Sequence, residues 1–187
     1  IVTVLEEKTE LTSSQQANHH AIKGRITFEN VHFSYIKGTE DVLKNLSFHV
    51  EPGETVGIIG MTGSGKSTLV KMLPRLFDVD QGTVKIDGVN IKDYDLEYLR
   101  AAIGYAPQKA TLFSKTIADN LRYGKAEATA EELVEALMAA NAKEFVDKLP
   151  AGTEHALTQG ATNLSGGQKQ RLAMARAFIR QPQILIL

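Results

Sequence analysis

The chain has 187 residues, 43% hydrophobic and 23% charged, which excludes a collagen, a disulfide miniprotein and a wholly disordered chain. Its 21 Lys and Arg against 22 Asp and Glu leave a net charge of -1, so no broad positive field draws in DNA or RNA, and no nucleic-acid partner is expected. The absence of cysteine excludes disulfides and thiolate metal sites and fits a reducing compartment.

Apolar runs such as IVTVL, VGIIGM and ILIL fall well short of the roughly 18 to 20 residues of a membrane helix. The opening residues lack the basic-then-apolar order of a signal peptide, and ILIL reads as an unfinished strand, so both ends are expected to be cut from a longer chain. Residues 6–23 are polar and aperiodic around TSSQQANHH, the pattern of a linker. Adjacent His19 and His20 share no helix face and have no acidic cluster beside them, which favours a solvated linker over a metal site.

From Gly24 the pattern becomes an alternating strand, with Ile26 and Phe28 and then Val31 and Phe33 inward. A second strand fits Leu46 to Val50, and TVGIIG from Thr55 reads as a buried central strand. The segment KSTLVKMLPRLF has helical spacing at Leu69, Met72, Leu73 and Leu76, with Pro74 disturbing its last turn. In VKIDGVNI the dipeptide Asp87-Gly88 predicts a hairpin that sets Val84 and Ile86 against Val89 and Ile91. Asp95 caps a short predicted helix through Arg100, and Ile103 to Ala106 make a strand that Pro107 breaks.

Thr129 and Glu132 form a capping box ahead of an amphipathic helix with Leu133, Val134, Leu137 and Met138 on one face. A further helix is predicted from Ala142 to Leu149, and a last one from Ser165 to about Arg180 leads to the strand QILIL. Antiparallel and parallel elements therefore coexist in an α/β chain.

The octapeptide GMTGSGKS, Gly60 to Ser67, matches a phosphate loop and lies between a predicted strand and a predicted helix. Composition alone would give the four fixed positions in roughly one such chain in a hundred, before the flanking elements are demanded. Glycines let backbone N–H groups converge on phosphate oxygens, and the helix adds the positive end of its dipole. The candidate nucleotide-binding residues are Gly60, Met61, Thr62, Gly63, Ser64, Gly65, Lys66, Ser67 and Thr68. Lys66 is placed to reach the β- and γ-phosphates of ATP, and the Ser67 hydroxyl to ligate Mg²⁺.

LSGGQ, Leu164 to Gln168, opens the last predicted helix. Ser165 and Gln168 satisfy a capping box, so a well-capped helix is the plain explanation. Gly166 and Gly167 argue against it, because each lowers helix propensity by about 1 kcal/mol relative to Ala. A first turn with bare backbone donors and a serine hydroxyl suits a phosphate instead.

A phosphate loop followed by LSGGQKQRLAMARA resembles the ATP-binding cassette of transport ATPases, from about Gly24 to Leu187. The resemblance implies a P-loop NTPase core with a mixed sheet, an antiparallel β subdomain and an inserted helical subdomain. Residues 1–23 would be the linker from a preceding transmembrane domain, and 24–187 the nucleotide-binding domain. It also implies ATP and Mg²⁺, and a head-to-tail pair of cassettes in which Ser165, Gly166, Gly167 and Gln168 close over ATP on the partner's loop. Tyr35, at the end of VHFSY, matches the aromatic that stacks on adenine. Gln108, at the end of IGYAPQ, matches the glutamine that contacts Mg²⁺ and the attacking water, giving it with Lys66 a catalytic role.

The continuation ATLFSKTIADNLRYG is similar to exporter cassettes, which implies coupling helices of a transmembrane domain as partners and a place at the cytoplasmic face of the cell membrane. In LTQGATN, Gln159 stands where exporters often carry an acidic coupling residue, which makes that contact a neutral hydrogen bond. The Asp and Glu that follow the ILIL strand in the family, and its switch histidine, are not among these residues, so ATP binding with poor hydrolysis is expected of this stretch alone. A soluble cassette acting on DNA or ribosomes would show a basic surface or a coiled-coil insertion, and the sequence has neither. A cassette that binds ATP only to regulate a partner would carry a non-acidic residue two positions past Leu187.

Overall fold

Alternating apolar residues organise the first unit of the chain. The computed structural model describes residues 11–13 and 18–187, and the chain divides into two units, Ile1–Ala102 and Ile103–Leu187. Strand β1 (Ile26–Phe33) buries Ile26, Phe28, Val31 and Phe33. The inward set changes phase after Phe28 because Asn30 takes a positive φ of 48° and shifts the pairing register. β1 pairs antiparallel with β2 (Leu43–Val50) on one side and β3 (Gln81–Ile86) on the other, and β4 (Val89–Asn90) completes the order β2-β1-β3-β4. The predicted hairpin is present, pairing Ile86 with Val89 and Lys85 with Asn90 across Asp87-Gly88.

The run 55–60 corrects one expectation. It forms no strand: Val56 and Ile58 are 48% and 43% exposed, and Ile59 is 97% exposed. Its residues have strand propensity, but a strand exists only through pairing, and no strand pairs with this run among the described residues.

Helix α1 (Lys66–Met72) stops four residues before Leu76, the last apolar position of the predicted helical face. Pro74 has no N–H to continue the ladder, so Arg75 N donates to Met72 O and Leu76 N to Lys71 O, closing the helix C-terminus. This closure needs a left-handed residue, and Arg75 supplies it at φ 48° although glycine is usual there.

The Arg75 side chain explains the choice. Only 6% exposed, it bonds Asp78 through Nε and Nη2 at 2.8 and 3.1 Å, and through Nη1 reaches Thr12 O and Lys92 O at 3.2 and 3.4 Å. Ser13 adds a second tie, donating to Asp95 and accepting from Leu96 N at the start of α2 (Leu96–Ala101), where Asp95 is the cap. His19 packs edge-on against Tyr98, whose hydroxyl donates to His20 O. The Asp87 carboxylate accepts from Lys23, Gly24 and Arg25 N–H groups. The described residues between 11 and 25 thus run along the first unit.

Arg75→Gly relieves the left-handed backbone, yet it should lower stability by about 1–2 kcal/mol, because Asp78 and two carbonyls lose their donors. Partial burial would raise the Asp78 carboxyl, but the hydrogen bond and charge of Arg75 outweigh it and hold it below its ordinary pKa. A lowered carboxylate pKa contributes stability above the ordinary range and loses it as pH falls through the lowered value. Chemical denaturation at pH 7 and in acid should therefore show the gap between wild type and Arg75→Gly narrowing in acid.

In the second unit β5 (Ile103–Tyr105) pairs in parallel with β6 (Ile184–Ile186). Between them in sequence lie helices α3 (Ile117–Arg122), α4 (Ala130–Ala139), α5 (Lys143–Asp147) and α6 (Gly166–Phe178). Capping boxes start α3, α4 and α6, at Thr116, Thr129 and Ser165, and the last two are the predicted ones. Leu121, Leu133, Leu137, Val146 and Leu172 form the centre of this unit's apolar core. The fold is mixed α/β, with an antiparallel sheet, a parallel strand pair and an inserted helical part. Among the described residues no helix is long and apolar enough to cross a membrane.

Candidate functional site

The glycine-rich loop reaches α1 through two residues in left-handed backbone, Gly63 at φ 83° and Gly65 at φ 86°. Gly65 is the helix N-cap without a side-chain cap bond, and a Cβ there would come within 3.0 Å of Val42 O and 3.1 Å of Leu43. Glycine is thus required by both conformation and space. Met61, Thr62, Gly63 and Ser64 are exposed, so the loop's backbone is open to a ligand.

Lys66 folds back across this loop, its Nζ donating to Gly60 O at 2.6 Å and Met61 O at 2.7 Å. The cation therefore stands over the backbone that would hold phosphates. Ser67 is exposed in the first turn of α1, where its hydroxyl is a hard oxygen donor suited to Mg²⁺ shared with phosphate oxygens. Thr68 is 5% exposed, and its hydroxyl lies 2.9 Å from Tyr35 Oη. The structure thus brings Tyr35, read from a separate segment, to the phosphate-loop helix.

The other sequence-derived residues belong to the second unit. Gln108 is exposed just beyond β5. At the start of α6, Ser165 Oγ accepts from Gln168 N at 3.3 Å and Gln168 Oε1 accepts from Ser165 N at 2.8 Å. Having accepted from Gln168, the serine hydroxyl keeps its proton for an outside acceptor. A Cβ at Gly166 or Gly167 would meet nothing within 4 Å, and neither residue has a positive φ. Among the described residues, neither packing nor backbone conformation calls for these glycines. Gln159 begins a short 3-10 turn, Gln159–Ala161, whose Gly160 carbonyl accepts from Lys169 of α6 at 2.8 Å.

Two long-range links escaped the sequence. Phe77 stands perpendicular to Tyr35, with ring centroids 5.3 Å apart. Asn120, fully buried, donates to Phe113 O and Thr116 O and accepts from Phe113 N and Arg176 Nη2. Arg176 also donates to Asn120 O and Thr111 O, and burial pushes its pKa down. The segment after Gln108 is thereby fastened to α6. Phe113 and Tyr123 remain 43% and 54% exposed, their rings 4.3 Å apart.

Comparison with known proteins places these features in a family. The family model described as ABC transporter matches residues 43–187. An ATP-dependent lipid A-core flippase of Pasteurella multocida is 43% identical over 184 residues, which is 98% of this chain and 31% of the flippase. Multidrug resistance protein pgp-1 of Caenorhabditis elegans is 43% identical over 190 residues, 100% of this chain and 14% of that protein. Among solved structures, a bacterial Atm1-family ABC exporter with ATP bound superposes with a TM-score of 0.92 at 35% identity, over 98% of this chain and 32% of the exporter. The chain spans less than a third of the length of the curated relatives it matches.

Proposed function

Because the chain belongs to the ABC transporter family, we propose that it is the ATP-binding motor of a membrane exporter, working as one of a head-to-tail pair of cassettes at the cytoplasmic face of the membrane. The single observation that carries this reading is the first turn of α6. Two exposed glycines there answer no need of backbone or packing among the described residues, whereas a ligand brought up by a second cassette would need that bare surface.

Lys66 and the loop N–H groups would bind the β- and γ-phosphates, Ser67 would hold Mg²⁺, and Tyr35 would offer its ring to the adenine, while Gln108 of the second unit carries the amide oxygen that the resembling cassettes use on Mg²⁺. When bound, Mg²⁺ neutralises phosphate charge. Ser165 to Gln168 supply donors to the γ-phosphate of the partner's ATP, so ATP itself bridges the pair. The exposed Phe113–Tyr123 face, in the unit that carries Gln108, is the surface offered to coupling helices of the transmembrane domain. None of these 187 residues matches the acidic residues that activate water in the resembling cassettes, so this stretch alone would bind ATP and hydrolyse it poorly.

A mixing experiment tests the pairing. Full-length Lys66→Ala and Ser165→Arg proteins are each expected to trap no ATP in a closed site. Head-to-tail pairing of the two puts both defects in one site and leaves the other intact, so co-assembled protein should recover about half of the wild-type occluded ATP. Recovery of none would overturn the proposed trans arrangement.

A further inference from the structure

Tyr35 is half exposed, yet its ring is held from several directions. Phe33 and Phe77 both stand perpendicular to it, with centroids 5.0 and 5.3 Å away, and its hydroxyl is 2.9 Å from the buried Thr68 hydroxyl. The backbone just before it is also pinned, since Ser34 N and Oγ both donate to Asp80 Oδ2 at 2.7 and 3.1 Å. An exposed aromatic ring normally samples several rotamers and loses that freedom when a ligand stacks on it. Here the fold has already removed most of that freedom, although no aromatic or cationic side chain among the described residues stacks on the ring's open surface.

We propose that Phe77 and Thr68 are positioning residues that hold Tyr35 as a preformed platform for the base of the bound nucleotide, so that Phe77 sets how strongly the site prefers a whole nucleotide over bare polyphosphate. This rests on reading the adjacent loop as an ATP site. Phe77 is three residues ahead of Asp80, so the short segment after α1 fixes both the Tyr35 ring and the backbone that carries it. When Tyr35 donates to Thr68, the Thr68 hydroxyl still has a proton to give, and it lies on the same helix turn as Lys66 and Ser67. The Tyr35–Thr68 bond thus ties the base platform to the helix turn that carries Lys66 and Ser67.

The test separates the two ends by titrating the full-length protein with ATP and with inorganic tripolyphosphate. Phe77→Leu, which removes the perpendicular ring, and Tyr35→Phe, which removes only the hydroxyl, should each weaken ATP by roughly three- to tenfold, the factor that immobilising a freed side chain costs. Tripolyphosphate affinity should stay within about twofold, which also reports an intact loop, and Phe77→Tyr, which keeps the ring, should bind ATP like wild type. Equal losses for both ligands would make Phe77 a support for the loop alone and overturn the proposal, as would unchanged ATP affinity in Phe77→Leu and Tyr35→Phe. If wild type bound neither ligand, or Tyr35→Ala bound ATP normally, the ATP-site reading or its base contact would fail before the question of positioning arose.

Discussion

Lys66→Ala is expected to weaken MgATP binding by about 100-fold or more. The ammonium now donates to two carbonyls of its own loop, at 2.6 and 2.7 Å, and on the proposed reading those bonds would be exchanged for phosphate oxygens when the ligand enters. Each charge-assisted hydrogen bond contributes about 1.5–3 kcal/mol, so losing two corresponds to a hundredfold change or greater. Folding should be nearly untouched, because Gly60 and Met61 are exposed and water replaces the lost donor. The two effects separate in one experiment: ATP should raise the melting temperature of wild type and leave that of Lys66→Ala almost unmoved, while the unliganded proteins melt together. Lys66→Arg keeps the charge but presents a planar fork where a compact ammonium fits, so it should recover only part of the affinity. Binding of MgATP to Lys66→Ala as tightly as to wild type would remove the basis for the site.

The features legible in the sequence are those whose cause lies within a few residues. Asp87-Gly88 marked its hairpin because both residues must take positive φ, and they do so at 50° and 81°. Thr129 with Glu132, and Ser165 with Gln168, marked helix starts because a capping box closes over three residues. The phosphate loop was legible for the same reason, its glycines being demanded locally by backbone conformation. Residues 55–60 misled because apolar β-branched letters report a preference for burial, whereas strand formation depends on a partner elsewhere in the chain. Pro74 marks the disturbance, but Arg75 in left-handed backbone is illegible, since beside the nearby Asp78 the carbonyls that hold it, Thr12 O and Lys92 O, lie 63 and 17 residues away. The Tyr35–Thr68 bond, across 33 residues, and the Arg176–Asn120 bond, across 56, have no local pattern at all. The glycine-rich loop and the helix starts could therefore be named from sequence, and the distant side chains that orient Tyr35 and fasten α6 could not.

Asn120→Leu is expected to lower the stability of the second unit by about 3–5 kcal/mol, the range for breaking a buried, charge-assisted network. Leucine has the branched outline of asparagine and is the larger of the two, so no cavity is created and the cost is chiefly polar. The change strands the Phe113 N–H and one arm of the Arg176 guanidinium, a group already desolvated enough for its pKa to be pushed down, while the Phe113 and Thr116 carbonyls keep the backbone N–H groups of Lys115 and Asn120. In a protein of this size that corresponds to a fall of about 10 °C in melting temperature. Arg176→Met should cost less once Asn120 is gone, and a double-mutant cycle should give a coupling of about 1–2 kcal/mol, since both side chains hold the segment 111–116. The functional consequence follows from where the network lies. It fastens the segment after Gln108 to α6, whose first turn carries Ser165 to Gln168, so losing it frees one of these elements to move without the other. ATP binding measured on the phosphate loop should survive in Asn120→Leu, because the loop belongs to the first unit, while ATP hydrolysis by the full-length protein should fall at least tenfold at a temperature where the variant is still folded. Hydrolysis that fell only in proportion to the unfolded fraction would reduce Asn120 to a stability residue and leave the two elements uncoupled.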